Sequence, residues 1–415
     1  MVLARCLAVT VARSISVAIE ATPHTLRPLF VRGVSPSKKF RERMFEMQKV
    51  TFAHGGFARV GGIETFTADL AAALKARHVQ TELVCWSGRG SSENPALQRL
   101  GENGVTIHRT DWRRGCRWGW PDKVMVLHQW NRFADAEVLV FGKLLDPGAH
   151  RRLLRLKKRM ILITPYRPAE MWKRRAPDGE LLNSLEAIIV QAPGFESDLR
   201  AFGYRGKVFI FPLPPPETEE ARPWPANSLL QIGFLGRLVP DKNVEYLIIS
   251  FSRLREMGTA AQLHVFGDGP ECATLQSLAN QLGLADYVEF HGNQDRHQIP
   301  EAIDRCHLFA FPSRTEGLPI GALEILARGR PIVGTPVGAL PEFLLGSLGC
   351  IAPLNDPAAF ANAMKAKADP ILNGQVTSAE IQTAYVSRFP RRQVIDKYLQ
   401  VFGCLESTEQ KVQTV

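Results

Sequence analysis

The sequence predicts an α/β protein made of two doubly wound domains in series, and three observations predict it. From residue 49 onward, short β-branched and apolar runs alternate with helix-like segments, the pattern of parallel sheets covered by helices. A proline-rich stretch, residues 211–228, interrupts the alternation once, after which it begins again. The chain of 415 residues also exceeds the length at which one core usually stops growing.

Residues 1–43 precede the first convincing strand. They hold eight basic and two acidic residues, and their apolar stretch is broken by Arg13 and Glu20. That makes a poor secretory signal and mimics an organellar transit peptide. The competing reading is an extension of no function, disordered or not native, with Met44 or Met47 as the natural start. The first domain is expected over 44–210. It opens with the strand "KVTFAH", the glycine loop "GGFARVGG", a helix in "IETFTADLAAALKARH" and the strand "TELVCW". Ile63, Phe66, Leu70 and Leu74 recur every three or four residues, one face of a helix. Further strands are expected at "DAEVLVFG", "RMILITP", "EAIIVQA" and "KVFIFP".

Residues 211–228 contain six prolines, which cannot donate ladder hydrogen bonds and favour extended chain, so they read as an interdomain linker. The second domain, 229–385, repeats the alternation. Strands are expected at "LLQIGFLG", "AQLHVFG", "YVEFHG", "HLFAFPS" and "PIVGT", with helices over about 243–257, 271–282, 299–305 and from Pro319. Residues 386–415, including "RFPRRQVIDKYLQVF", read as a last helix and a tail.

Composition narrows the class. With 45% hydrophobic and 22% charged residues the chain is globular rather than disordered. Its seven cysteines are scattered and never spaced C-x-x-C, so neither a disulfide framework nor a zinc site is indicated, and a reducing, cytoplasmic setting is expected. No apolar run approaches the ~18–20 residues that span a bilayer. The net charge of +10 is uneven: residues 44–222 carry +7 and residues 223–415 carry −3, which suggests different jobs for the two halves.

Candidate chemistry lies at strand ends. In "FLGRLVPDKNVEYL", Arg237 and Lys242 follow the first strand of the second domain, where open α/β sheets bind ligands, and an anion is their natural partner. The bland alternative is that both merely solvate a turn. In "VFGDGPE", Gly267 and Gly269 flank Asp268, which fits either a tight turn or close approach of backbone to a ligand. In "RTEGLPIGALE", Pro319 suits the first turn of a helix whose leading N–H groups, at Ile320 and Gly321, form a small anion site. Glu316 lies on the loop ahead and Glu324 within the helix; carboxylates there can accept from sugar hydroxyls.

The ordered set G-R-L-V-P-D-K, G-D-G-P, F-P-S-x-T-E-G-L-P-x-x-x-L-E and P-I-V-G-T resembles the nucleotide-sugar domain of family 4 glycosyltransferases of the GT-B fold, with their E-x7-E signature. The likeness runs over about residues 48–405 and is most specific over 232–342. It implies two Rossmann-like domains facing each other across a cleft, with a UDP- or GDP-sugar as donor substrate and no cofactor. It also implies a saccharide or lipid-linked acceptor and transfer with retention in polysaccharide or glycoconjugate synthesis. Carried over by position, Arg237 and Lys242 would bind the diphosphate, Glu316 the sugar hydroxyls and Glu324 the ribose. Gly236, Gly267, Asp268, Gly269, Gly317, Leu318, Pro319 and Ile320 would complete the donor site. Gly61 and Gly62 would match the glycine loop that faces donor phosphate and acceptor.

One departure concerns the histidine that members of this family usually carry after the strand reading here "MILITPYRP". Tyr166 stands nearest that slot, and with an ordinary pKa near 10 it is a poor base. His54 and His128 are the substitutes on the acceptor side, each also readable as a structural or surface histidine. No D-x-D occurs, so no metal is expected to clamp the diphosphate. Ten basic residues against Glu170 alone fill 151–175, which fits a solvated helix surface, peripheral contact with anionic lipid at the inner membrane face, or an acceptor linked through diphosphate. No recognition motif accompanies that charge, so nucleic acid is not an expected partner. The rival functions are an inactive nucleotide-sugar-binding or regulatory protein, and a glucan synthase or phosphorylase of the same fold.

Overall fold

The computed structural model describes residues 49–54, 62–87, 95–111, 121–173, 175–225 and 229–404. The expected N-terminal extension, Gly61, Arg174 and the tail from 405 lie outside the described residues. Seven parallel strands form a first sheet: β1 (Lys49–His54), β2 (Gln80–Ser87), β3 (Thr106–Asp111), β4 (Val138–Phe141), β5 (Arg159–Ile163), β6 (Ala187–Val190) and β7 (Lys207–Ile210). Their order is β3-β2-β1-β4-β5-β6-β7. A second parallel sheet contains β8 (Leu230–Leu235), β9 (Ala261–Phe266), β10 (Val288–Gly292), β11 (Leu308–Phe311), β12 (Ile332–Gly334) and β13 (Gly349–Ile351), ordered β10-β9-β8-β11-β12-β13.

The central strands are buried along their whole length, as in "VLVF" of β4, "AIIV" of β6 and "LFAF" of β11. Helices on both faces produce that burial, which is why these strands read as continuous apolar runs rather than alternating ones. In each sheet the strand order reverses beside the first strand, between β1 and β4 and between β8 and β11. The loops leaving two such strands diverge and open a crevice at their carboxyl ends.

Residues 211–225 of the linker have no regular structure and are fastened from the second half. Arg330, fully buried, donates to the carbonyls of Arg222 and Pro223 at 2.9 and 3.0 Å and lies against the Trp224 ring. The helix Arg391–Phe402 returns to the first sheet: Tyr398 packs edge-on against Phe211 at 4.7 Å, and Asp396 pairs with Arg77 at 2.6 Å. No helix among the described residues is long and apolar enough to cross a membrane.

Three sequence expectations change. Strands β3 ("TIHRTD") and β13 ("GCI") had no apolar run to mark them, because both are edge strands and β13 is three residues long. Pro319 is not inside the helix; it caps it in an extended conformation (φ −66°, ψ 123°), and the helix runs Ile320–Ala327. The basic stretch 151–175 is not one helix surface. It runs from the helix Pro147–Leu154 through a turn with Lys157 at φ 52° into β5 and the short helix Pro168–Met171. Arg151, Arg159 and Arg167 pair there with Asp178, Glu186 and Asp198 at 2.6–2.9 Å.

Candidate functional site

The loops at the carboxyl ends of β8 and β11 are laced to one another. Lys242 ends a short 3-10 turn, Pro240–Lys242, and Asn243 follows in the left-handed region (φ 54°), a conformation asparagine tolerates better than most residues. Its side-chain amide donates to the Pro312 carbonyl at 3.1 Å, while the Arg314 N–H donates to the Asp241 carbonyl at 2.8 Å. This lacing sets Lys242 Nζ against Glu316 Oε1 at 2.5 Å, and the same oxygen accepts from Ser313 Oγ at 2.7 Å. The Glu316 side chain is 7% exposed and that of Lys242 22%.

Both residues line a cleft of about 460 Å³. Arg237, exposed at the end of β8, lines it too, as do Gly236, Gly267, Asp268, Gly317, Leu318, Pro319, Ile320 and Glu324. The first-turn N–H groups of Ile320 and Gly321 have no carbonyl four residues back within their helix, and both residues lie on the cleft wall. Gly267 (φ 139°) must be glycine for a further reason: a Cβ there would lie 1.8 Å from the Gly236 carbonyl oxygen. Gly269 is not among the lining residues; a Cβ there would meet the Leu238 carbonyl oxygen at 2.2 Å, so its smallness lets the loops after β8 and β9 cross.

Glu324 sits in a group of four charges. Arg296 reaches Glu324 at 3.2 Å and Asp69 at 3.6 Å, and Arg99 reaches Asp69 at 3.2 Å. Burial pushes the Glu324 carboxyl up and Arg296 pulls it back; Asp69 is raised by burial in the same way. Asp69 and Arg99 belong to the first half and Arg296 and Glu324 to the second, so the group bridges the two. Arg99, Arg296, Thr65, Asn293 and Gln294 line the cleft without any motif in the sequence to mark them.

The first half contributes Pro165 and Tyr166 from the loop after β5. The Leu318 N–H donates to the Pro165 carbonyl at 3.0 Å, and Gly317 permits that approach. The Tyr166 phenol is pushed up by burial and by Glu64 and Glu316, against the field of Arg237. Gly62 is the first residue of the helix Gly62–Ala76, whose first-turn Thr65 reaches the cleft; its neighbour Gly61 lies outside the described residues. The two histidines are elsewhere. His54 ends β1, is 3% exposed, and is held down to about 3 by burial and Lys143, so it is a neutral core imidazole. His128 is exposed at the end of the helix Pro121–His128 and is not a lining residue.

Comparison with known proteins bears on both halves. Residues 230–368 match the family model "Glycosyl transferases group 1", and residues 61–214 match "Glycosyl transferase 4-like domain". A GDP-mannose-dependent alpha-(1-6)-phosphatidylinositol monomannoside mannosyltransferase of Mycobacterium tuberculosis is 32% identical over 160 residues, 34% of this chain and 41% of that protein. The alpha-D-kanosaminyltransferase of Streptomyces kanamyceticus is 33% identical over 121 residues, 29% of this chain and 31% of its own length. The chain thus spans well under half the length of the curated relatives it matches. Among solved structures, Anabaena HepE in complex with UDP superposes with a TM-score of 0.66 over 86% of this chain and 100% of that one, at 14% identity.

Proposed function

Because the chain belongs to the family 4 glycosyltransferases of the GT-B fold, we propose that it transfers a sugar from a nucleotide-diphosphate sugar to a saccharide or lipid-linked acceptor. The observation that carries this reading is the convergence of Arg237, Lys242, Glu316 and Glu324 on one cleft at the carboxyl ends of β8 and β11. In this reading the diphosphate lies against Arg237, Lys242 and the N–H groups that open the helix Ile320–Ala327. Breaking the sugar–phosphate bond leaves negative charge on the diphosphate, and donors already fixed around it lower the barrier.

The two ion pairs define what the donor replaces. Lys242 turns from Glu316 to the phosphate, and Glu316 then accepts from sugar hydroxyls while keeping its bond from Ser313. Glu324 exchanges Arg296 for the ribose hydroxyls. Front-face attack with retention, in which the leaving phosphate oxygen takes the acceptor proton, needs no protein base; it suits a cleft whose phenol at Tyr166 is pushed up. Both a UDP- and a GDP-sugar are carried as donor, since HepE was solved with UDP and the mycobacterial relative is GDP-mannose-dependent. For the acceptor, the exposed Arg155, Lys157 and Arg175 favour an anionic, lipid-linked saccharide at a membrane surface.

A thermal-shift screen of UDP-, GDP- and ADP-sugars tests the reading. One base class raises the melting temperature, since a ligand at 100 times its Kd stabilises by ~2.7 kcal/mol, and the same donor releases its nucleotide when acceptor is added. No shift with any nucleotide sugar contradicts the reading; a shift without turnover reduces the protein to a binding subunit.

A further inference from the structure

At the edge of the second sheet, three side chains that do not line the cleft and that the reaction does not use come together. His264 projects from β9, and Glu289 and His291 from β10, where Glu289 is the register partner of His264. The register shifts between Phe290 and Gly292, so His291 is the extra residue of a bulge, an irregularity that re-aims a side chain. We propose that His264 Nδ1, His291 Nε2 and Glu289 Oε2 form a binding site for one divalent transition-metal ion of the zinc class.

The donor atoms form a triangle. The two nitrogens are 3.0 Å apart, and the carboxylate oxygen is 3.5 Å from each. Two ligands at the 2.0–2.1 Å zinc–nitrogen distance, at octahedral to tetrahedral angles, are separated by about 2.9–3.4 Å. A hydrogen bond between neutral imidazoles accounts for the nitrogen pair alone. It does not involve Glu289 Oε2, which stands 3.5 Å from both nitrogens, about the separation of two ligands on one ion when the carboxylate oxygen lies at up to ~2.2 Å.

The surroundings orient these atoms as ligands. Gln231 Oε1 lies 2.5 Å from His264 Nε2 and can only accept there. The proton therefore sits on Nε2, and the Nδ1 lone pair faces the cluster. Gln262 Nε2 donates to Glu289 Oε1 at 2.6 Å, leaving Oε2 for the ion. Both rings are pinned against Phe266, with His291 stacked at 4.6 Å and His264 at 6.0 Å. Such outer partners fix tautomer and orientation in metal sites. Burial, with the field of Arg305, lowers both imidazoles against the pull of Glu289. His264 is buried but Glu289 is half-exposed, so the ion's remaining positions face water. Bound there, it would staple edge strand β10 to β9, whose following residues Gly267, Asp268, Asn293 and Gln294 line the cleft.

The test uses full-length protein dialysed against chelator and titrated with Zn²⁺ by calorimetry, with Co²⁺ absorption reporting the ligand type. We expect one equivalent bound, a raised melting temperature, and a Co²⁺ spectrum without the sulfur charge-transfer band that cysteine ligation would give. His291→Gln and the exposed Glu289→Gln each weaken Zn²⁺ affinity by about 100-fold or more, and Gln262→Leu by about 10- to 100-fold, while metal-free Glu289→Gln melts like the metal-free parent. Failure of the parent protein to bind Zn²⁺ would overturn the proposal and leave a plain imidazole pair. Undiminished binding in the Glu289→Gln/His291→Gln double variant would overturn it equally, placing the ion on other side chains.

Discussion

Lys242→Ala lowers turnover at saturating donor by about 10²–10³, the cost of removing one fixed donor from developing charge. The protein should still melt cooperatively, because Lys242 lies on a surface turn and its loop keeps the backbone and Asn243 bonds to the strand β11 side. The substitution also strands the largely buried Glu316 carboxylate, leaving it the hydrogen bond from Ser313 Oγ. Adding Glu316→Gln relieves that burden, so recovery of melting temperature without recovery of turnover separates stability from chemistry. Turnover within a few-fold of the parent would remove Lys242 from the diphosphate.

Gly317→Ala should be as damaging although it adds a single methyl group. A Cβ at 317 would lie 1.7 Å from the Pro165 carbonyl oxygen and 2.7 Å from the Tyr166 Cα, all backbone atoms that no rotamer change can move aside. The loop carrying Glu316 must then back away from the loop after β5, losing the bond from the Leu318 N–H to Pro165. A displacement of ~1 Å near reacting groups can cost ~10²-fold in rate. Steady-state kinetics and melting of the variant check this: a large loss of turnover with a modest loss of stability is expected, and parent-like turnover would mean that the contact between the two loops is dispensable.

Sequence and structure differ in instructive places. The central strands were legible because burial on both faces writes them as unbroken apolar runs, whereas β3, an edge strand with His108 and Arg109, carries no such mark. Lys242 and Glu316 were legible because each follows a recognisable strand within a few residues. That they meet was not, since Asn243 and Arg314 achieve it by lacing loops about 70 residues apart. Asp69, Arg99 and Arg296 come from three separate elements, and only packing of the two halves brings them to Glu324. His54 and His128 were plausible by residue type alone; burial removes one from the cleft and position removes the other. His264, Glu289 and His291 had no motif to mark them, because only the pairing of β9 with β10 brings them together.

What the two glutamates bind decides the donor site most directly. Titration calorimetry of Glu316→Gln and Glu324→Gln, against the donor sugar nucleotide and the bare nucleotide diphosphate, measures it. A charge-assisted hydrogen bond is worth about 1.5–3 kcal/mol. Glu316→Gln should therefore weaken the sugar nucleotide by about 10-fold or more and leave the bare diphosphate nearly unchanged, while Glu324→Gln should weaken both together, because both contain the ribose. Equal losses for the two ligands in Glu316→Gln, in a protein that melts like its parent, would contradict the account and leave Glu316 as a support for its loop.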